Sequence, residues 1–161
     1  MKRTIIDLFE ESVARYGAKT FLLEKRHRKF EPTTYAETRE QALEVGAGLT
    51  TLGIRPGDKV AILSEGCNAW IISELGLFYA GAISVPLSVK LEASTDLLFR
   101  LRHAQVKALF VSTYQLPTLR RIPHELPPVP PILFFTHLPP APCRHALRTA
   151  NRPRTQTPAQ H

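Results

Sequence analysis

Two spacings of apolar side chains alternate along this chain, and each switch between them marks an element. Ile5, Leu8, Phe9, Val13 and Tyr16 fall on one helical face. Thr4-x-x-Asp7 opens that helix as a variant of the capping box, and Gly17 closes it. Shorter runs over 20–24 and 28–33 predict two strands around a charged turn. A second box, Thr34-x-x-Glu37, opens the next helix. It carries Thr38, Ala42, Val45, Leu49 and Leu52 on one face and stops at Gly53. Residues 54–58 (Ile-Arg-Pro-Gly-Asp) predict a turn, because Pro56 presets φ and Gly57 accepts a positive one. The chain then enters an apolar strand at Lys59–Leu63. Asn68 is expected to cap a third helix reaching Tyr79, and 82–87 is a strand that Pro86 must end or hold at a sheet edge. A fourth helix over about 94–104 and a strand at Ala108–Val111 complete the series.

From Thr34 onward the order is therefore αβαβαβ. Apolar strands joined by helices long enough to cross over imply an α/β fold. Its parallel sheet carries helices on both faces and right-handed connections. The helix and hairpin of residues 4–30 stand ahead of it.

Composition changes this picture only beyond the last of those strands. Residues 1–116 hold 15 Lys and Arg against 13 Asp and Glu, with 3 prolines and all 8 glycines. The remaining 45 hold 6 Arg, no Lys, one acid (Glu125), 11 prolines and no glycine. Of the net +7, the body carries +2 and the tail +5. A pI near 9.8 would by itself point to nucleic acid or an acidic membrane. The mixed signs of the body do not, and no nucleic-acid partner is expected.

Candidate chemistry is sparse. The apolar stretch 70–87 contains Glu74, is broken by Gly76 and Gly81, and ends near Pro86. A membrane span needs ~20 continuous apolar residues, so this stretch reads as a buried helix running into a buried strand, with no transmembrane segment. The basic start at Lys2 and Arg3 leads into an acidic amphipathic stretch rather than a signal peptide. Cys67 and Cys143 offer neither ligand spacing nor a disulfide framework, as in a reducing compartment. The histidines (His27, His103, His124, His137, His145, His161) have no partner at metal-ligand spacing. Gly46-Ala-Gly48 lies inside a helical pattern, with Thr51 where a dinucleotide loop has its third glycine. Close helix packing is the preferred reading there. Ser64-Glu65-Gly66 follows a strand, where α/β folds gather ligands. Ser64 has no identifiable base, and a loop whose polar atoms satisfy the backbone is preferred.

Longer runs carry a resemblance. Thr34-Tyr-Ala-Glu37, Gly46 to Leu52, and Gly53-Ile-Arg-Pro-Gly-Asp-Lys-Val-Ala-Ile-Leu63 resemble the start of the adenylate-forming (AMP-binding) acyl-CoA synthetase superfamily. Asn68-Ala-Trp70-Ile71 is similar to its Asn-x-x-Trp helix start, and Phe78 to Leu87 to its alanine-glycine-alanine…valine-proline-leucine segment. The resemblance covers about residues 4–127. Val85-Pro-Leu-Ser88, Lys90-Leu-Glu92 and Asp96-Leu-Leu-Phe-Arg100 are most similar to bacterial long-chain fatty-acid–CoA ligases.

The resemblance implies a two-step reaction. ATP activates a carboxylate as an acyl-adenylate, and coenzyme A then takes the acyl group as a thioester. It implies ATP, Mg2+ and coenzyme A as cofactors, with fatty acid, ATP and CoA as partners of the intact enzyme. That enzyme is expected to be cytoplasmic and peripheral to the inner membrane. In the family a Ser/Thr/Gly-rich loop ending in Pro-Lys-Gly holds the phosphates. A downstream Thr-Glu pair serves magnesium, an Asp holds the ribose, and a lysine near the far C-terminus drives adenylation. No glycine follows Gly81 and no lysine follows Lys107. No catalytic, cofactor-binding or metal-binding residue is therefore assigned. The chain alone is expected to bind none of these cofactors and to be catalytically incomplete.

Residues 1–126 are accordingly assigned to a truncated N-terminal subdomain and 127–161 to a Pro/Arg-rich tail expected to be disordered. Family-like sequence persists at 119–122 and 124–127 and in the apolar run 132–135. Residues 136–161 have no acid, glycine or lysine. An out-of-frame reading of a G+C-rich gene produces such a change, which places a frameshift near codons 127–136. The alternative is a non-catalytic binding or regulatory module that pairs with a full-length ligase or acts through its tail. Pro127-x-x-Pro130, Pro128-x-x-Pro131 and Pro139-x-x-Pro142 are nominal polyproline-II ligands. Arg144, Arg148, Arg152 and Arg154 lack interleaved aromatics to stack on bases.

Overall fold

Both capping boxes form in the computed structural model, which describes residues 3–26, 29–91, 96–120 and 132–134. The Thr4 hydroxyl accepts from the Asp7 N–H at 3.1 Å, and the Asp7 carboxylate accepts from the Thr4 N–H at 2.8 Å. These bonds start α1 (Ile5–Tyr16). Thr34 and Glu37 exchange the same pair of bonds to start α2 (Tyr35–Thr51). Between the helices, β1 (Thr20–Arg26) and β2 (Lys29–Thr34) form the expected antiparallel hairpin. Then follow β3 (Lys59–Leu63), α3 (Asn68–Tyr79), β4 (Ile83–Leu87), α4 (Asp96–His103), β5 (Ala108–Val111), a 3-10 turn at Thr113–Gln115, α5 (Leu116–Arg120) and β6 (Ile132–Phe134).

The larger sheet has the order β4-β3-β5-β6, with every neighbouring pair parallel. Alternation along its strands splits the core in two. Val60, Ile62, Phe110 and Leu133 pack with Val45 and Leu49 of α2 and Ile72 and Leu77 of α3. Ala61, Leu63, Leu109 and Val111 pack on the other side with Leu97, Leu98 and Leu101 of α4 and Leu119 of α5. Helices thus cover both faces, as the αβαβαβ order requires. A third cluster, Phe9, Ala42 and Leu75 with Phe21 and Tyr35, seats α1 on the outer side of α2 and α3.

Small residues set how closely α2 and α3 approach. A Cβ on Gly46 would sit 3.1 Å from the Gly76 carbonyl oxygen, and one on Gly76 would sit 2.5 Å from Val45 Cγ1. Gly46 is therefore a packing glycine. Gly57 takes the positive φ that its turn requires, at 86°. Pro86 lies on an edge strand. The Ile83 N–H donates to the Asp58 carbonyl at 2.8 Å and so faces β3, and alternation turns Ser84 and Pro86 outward. The donor that proline lacks is one that no ladder bond needs.

Several expectations about single residues are corrected. Within the segment assigned to the tail, residues 132–134 form β6, in which Leu133 is buried beside Phe110. The reason is that β5 offers an open row of N–H and C=O groups and the Ile-Leu-Phe run is apolar enough to take it. Residues 121–131 and 135–161, where the 126/127 boundary and the proposed frameshift fall, lie outside the described residues. Asn68 is not the cap of α3. Cys67 holds that position without a side-chain bond, and Asn68 is the first helical residue. Gly17 closes α1 as expected, with a right-handed φ of −45°. On the expected apolar faces, Ile5, Leu8, Tyr16 and Leu52 are exposed, and only Phe9 of α1 is buried. The fourth helix is described over Asp96–His103 and gives way to a turn at Ala104, while residues 94 and 95 lie outside the described residues.

Candidate functional site

The strand order creates one topological switch. After β3 the chain crosses by α3 on one face of the sheet to reach β4. After β5 it turns to the opposite face, where Leu119 of α5 is buried. Where successive connections diverge in this way, a crevice opens beyond the carboxyl ends of the strands. It lies here between the loop after β3 (Ser64 to Cys67) and the loop after β5 (Ser112 to Gln115).

That crevice is closed by its own hydrogen bonds. The Ser112 hydroxyl donates to Glu65 Oε2 at 2.6 Å, and Gln115 Nε2 donates to Glu65 Oε1. The Ser112 N–H donates to the Leu63 carbonyl at 3.2 Å. Ser64 is buried, and its hydroxyl donates to the Glu65 carbonyl at 2.9 Å, with Cys67 Sγ at 3.9 Å. The loop residues thus satisfy backbone and each other, the reading preferred from the sequence. Cys67 is half-buried with a free thiol.

The loops do not fit a nucleotide polyphosphate. Residues 64–68 and 112–116 contain one carboxylate, Glu65, and no lysine or arginine, so a phosphate chain would meet like charge. The site the resemblance implies for ATP and Mg2+ is not assembled from them. Among the described residues, no group of three or more His, Cys, Asp and Glu is placed to hold a metal ion. His103 stacks on Phe99 with ring centroids 5.5 Å apart. The other five histidines and Cys143 lie outside the described residues.

Sequence reading missed a polar clamp that ties three helices together. Arg39 Nε lies 2.8 Å from both carboxylate oxygens of Glu10, and the Tyr79 hydroxyl donates to Glu10 Oε1. Burial pushes the Glu10 carboxyl up, but the hydrogen bonds from Tyr79 and Arg39 outweigh it and hold the group below the usual glutamate range. Burial first, then the Glu10 carboxylate, pushes the Tyr79 phenol well above its ordinary value. These residues are 29 and 69 positions apart, so no local spacing announces them. Two other acids find similar roles. Glu74, the charge inside the apolar stretch 70–87, accepts from the Ser84 hydroxyl at 2.8 Å. Glu24 of β1 accepts from the Asn68 N–H at 3.4 Å, at the start of α3. Among the described residues, no helix is long and apolar enough to cross a membrane.

Comparisons with known proteins agree with this architecture. The AMP-binding enzyme family matches residues 9–158, across the boundary expected at 126. An octahydro-indenyl-propanoyl:CoA ligase of Rhodococcus jostii (strain RHA1) is 31% identical over 107 residues, covering 56% of this chain and 21% of its own length. The long-chain-fatty-acid–CoA ligase ACSBG2 of Rattus norvegicus is 29% identical over 112 residues, covering 70% of this chain and 17% of its own. Among solved structures, the anthranilate CoA ligase AuaEII in complex with anthranoyl-AMP superposes with a TM-score of 0.66 at 26% identity, covering 71% of this chain and 21% of that one. The N-terminal subdomain of Klebsiella oxytoca NpsA does so at 0.63 and 25%, covering 69% of this chain and 28% of that one. The chain therefore spans about a fifth of the length of the ligases it matches.

Proposed function

The chain belongs to the AMP-binding enzyme family, and from that premise we propose that it is the N-terminal part of an ATP-dependent long-chain fatty-acid–CoA ligase. The whole enzyme would join a fatty carboxylate to ATP as acyl-adenylate, releasing pyrophosphate. It would then pass the acyl group to the coenzyme A thiol, releasing AMP. The name of the rat relative and the run from Val85 to Arg100 support the long-chain substrate. In this reading the four-stranded sheet and its two helical layers are scaffold, and the whole enzyme works in the cytoplasm, peripheral to the inner membrane.

By itself the chain is proposed to catalyse no adenylation. The observation that carries this is the switch-point crevice, whose one charged group, Glu65, is a carboxylate committed to Ser112 and Gln115. Stabilising charge on a transferring phosphorus needs fixed cations or a metal at the reacting atoms. The test is pyrophosphate release by the purified chain with ATP, Mg2+ and fatty acids of short, medium and long chain. Release should stay at the level without protein, and acid-dependent turnover above it would overturn the claim. Chain length is tested with a chimera, this segment replacing the matching part of the rat ligase. Hexadecanoate-dependent turnover should persist, and its loss with the chimera folded would remove the long-chain assignment.

A further inference from the structure

α1 is held to the rest of the molecule by side chains. Among the described residues, no backbone hydrogen bond joins Ile5–Tyr16 to another element. Such bonds begin just past its end. There the Gly17 carbonyl accepts from the Ala36 N–H at 3.0 Å, and the Lys19 carbonyl accepts from the Tyr35 N–H at 3.1 Å. The side-chain anchorage is narrow. Phe9 is the one buried residue of α1, with its ring centroid 5.6 Å from that of Phe21 and 6.4 Å from that of Tyr35. Ile6 and Val13 are half-buried beside it, while Ile5, Leu8 and Tyr16 stay exposed. Glu10 is the second anchor. Its carboxylate takes Arg39 of α2 on both oxygens and the Tyr79 hydroxyl of α3 on one. The neighbouring pair is built differently, since Gly46 and Gly76 let α2 and α3 approach closely and both helices bury residues against the sheet.

We infer that α1 is a strap hinged at Gly17, latched by Glu10, which opens from α2 and α3 as a unit while the sheet stays folded. Opening breaks no ladder bond and no backbone bond to another element. It gives up the burial of Phe9, the partial burial of Ile6 and Val13, and the bonds of one carboxylate. Segments with so few buried apolar contacts are the ones that open below the free energy of global unfolding. Opening bares Ala42 and Leu75, which are buried with Phe9, together with the Tyr79 hydroxyl. The outer side of the α2–α3 pair is thus a surface that the closed molecule hides. Glu10 is the latch because its two partners sit on different helices, so its loss unties α1 from both at once. A free helix of 12 residues is marginal in water. α1 therefore unwinds when it leaves, and amide exchange reads the opening directly. The inference does not rest on the ligase reading.

The experiment is native-state hydrogen exchange of the full 161-residue chain in low concentrations of urea. Amides 8–16 should exchange faster than those of 60–63 in β3. Urea should accelerate them only weakly, because the opening exposes little surface, whereas 60–63 should follow global unfolding with a steep dependence. Glu10→Ala should speed exchange of 8–16 about tenfold, through the loss of charge-assisted bonds to two helices. Tyr79→Phe removes one donor and should speed it about threefold, which reads the latch even where Glu10→Ala does not fold. Ile62→Val weakens the sheet, in the open and closed forms alike. It should speed exchange of 60–63 about fivefold and leave 8–16 at the parent rate. The strap is overturned if 8–16 and 60–63 share one urea dependence in the parent, or if Ile62→Val speeds both alike, since α1 would then open only with the whole fold. The latch is overturned if Glu10→Ala and Tyr79→Phe leave 8–16 at the parent rate.

Discussion

β3 and the β1–β2 hairpin are strands of similar length with opposite relations to water. Val60, Ala61, Ile62 and Leu63 are all buried, because parallel neighbours flank β3 and helices cover both faces. The hairpin has helices on one side alone, so every second residue of β1 stays in solvent. The contrast shows where this molecule sequesters its apolar area and where it leaves some in water. The sheet's apolar side chains are withdrawn from solvent, while Leu23 and Phe30 of the hairpin stay exposed.

Substitution tests the contrast most severely at the sheet centre. Phe110→Ala leaves a cavity between α2, α3 and the sheet and should cost about 3–5 kcal/mol in urea unfolding. A loss near that of a surface residue would show that the sheet is not the stabilising region. Gly76→Ala should cost about 1–3 kcal/mol by overpacking the α2–α3 crossing. Adding Val45→Ala should recover part of it, and a double-mutant cycle with no coupling would contradict the close approach. The clamp at Glu10 should give a smaller effect confined to acid. A carboxyl held below its ordinary range stabilises the fold above that range, and the contribution is lost as pH falls through the lower folded value. Arg39→Gln should therefore lower stability at neutral pH and flatten the acid limb, and an unchanged limb would remove the clamp from the account. Phe30→Ser on the open hairpin face should move stability by less than about 0.5 kcal/mol. A core-sized loss there would mean that the hairpin face is packed after all.

Much of the fold was legible residue by residue. The boxes at Thr34 and Glu37 and at Thr4 and Asp7 are local, three residues apart, and they formed as read. The run Lys59–Leu63 read as a buried strand because no polar side chain interrupts its interior. Pro86 predicted an edge, and β4 is one. Less legible were features with distant partners. Asn68 looked like a cap, but it is the first helical residue, and its own N–H donates to the Glu24 carboxylate that the hairpin brings. The exposure of Ile5 and Leu8 on an otherwise amphipathic α1 was invisible, since periodicity shows which face is apolar and not how much of it finds a partner. β6 was read as tail because proline and arginine dominate its neighbourhood, and its pairing depends on an edge more than twenty residues earlier in sequence.

For the candidate site the division is sharper still. Ser64 to Gly66 could be placed at a strand end from the pattern alone, and with it the preference for an internal, self-satisfying loop. That the acid of that loop reaches Ser112 and Gln115, 47 and 50 residues away, depends on which strand lies beside β3.

By itself the sequence determined the type of each main element, the α/β class, the packing role of Gly46 and the family resemblance. All of these rest on spacings within one or two turns of chain or on runs of adjacent residues. Only the tertiary structure decided the order β4-β3-β5-β6, the switch point, the clamp of Glu10, Arg39 and Tyr79, and the open hairpin face. Each of those depends on which distant segments become neighbours. Side chains then share one carboxylate or one apolar surface, and linear spacing does not encode that choice.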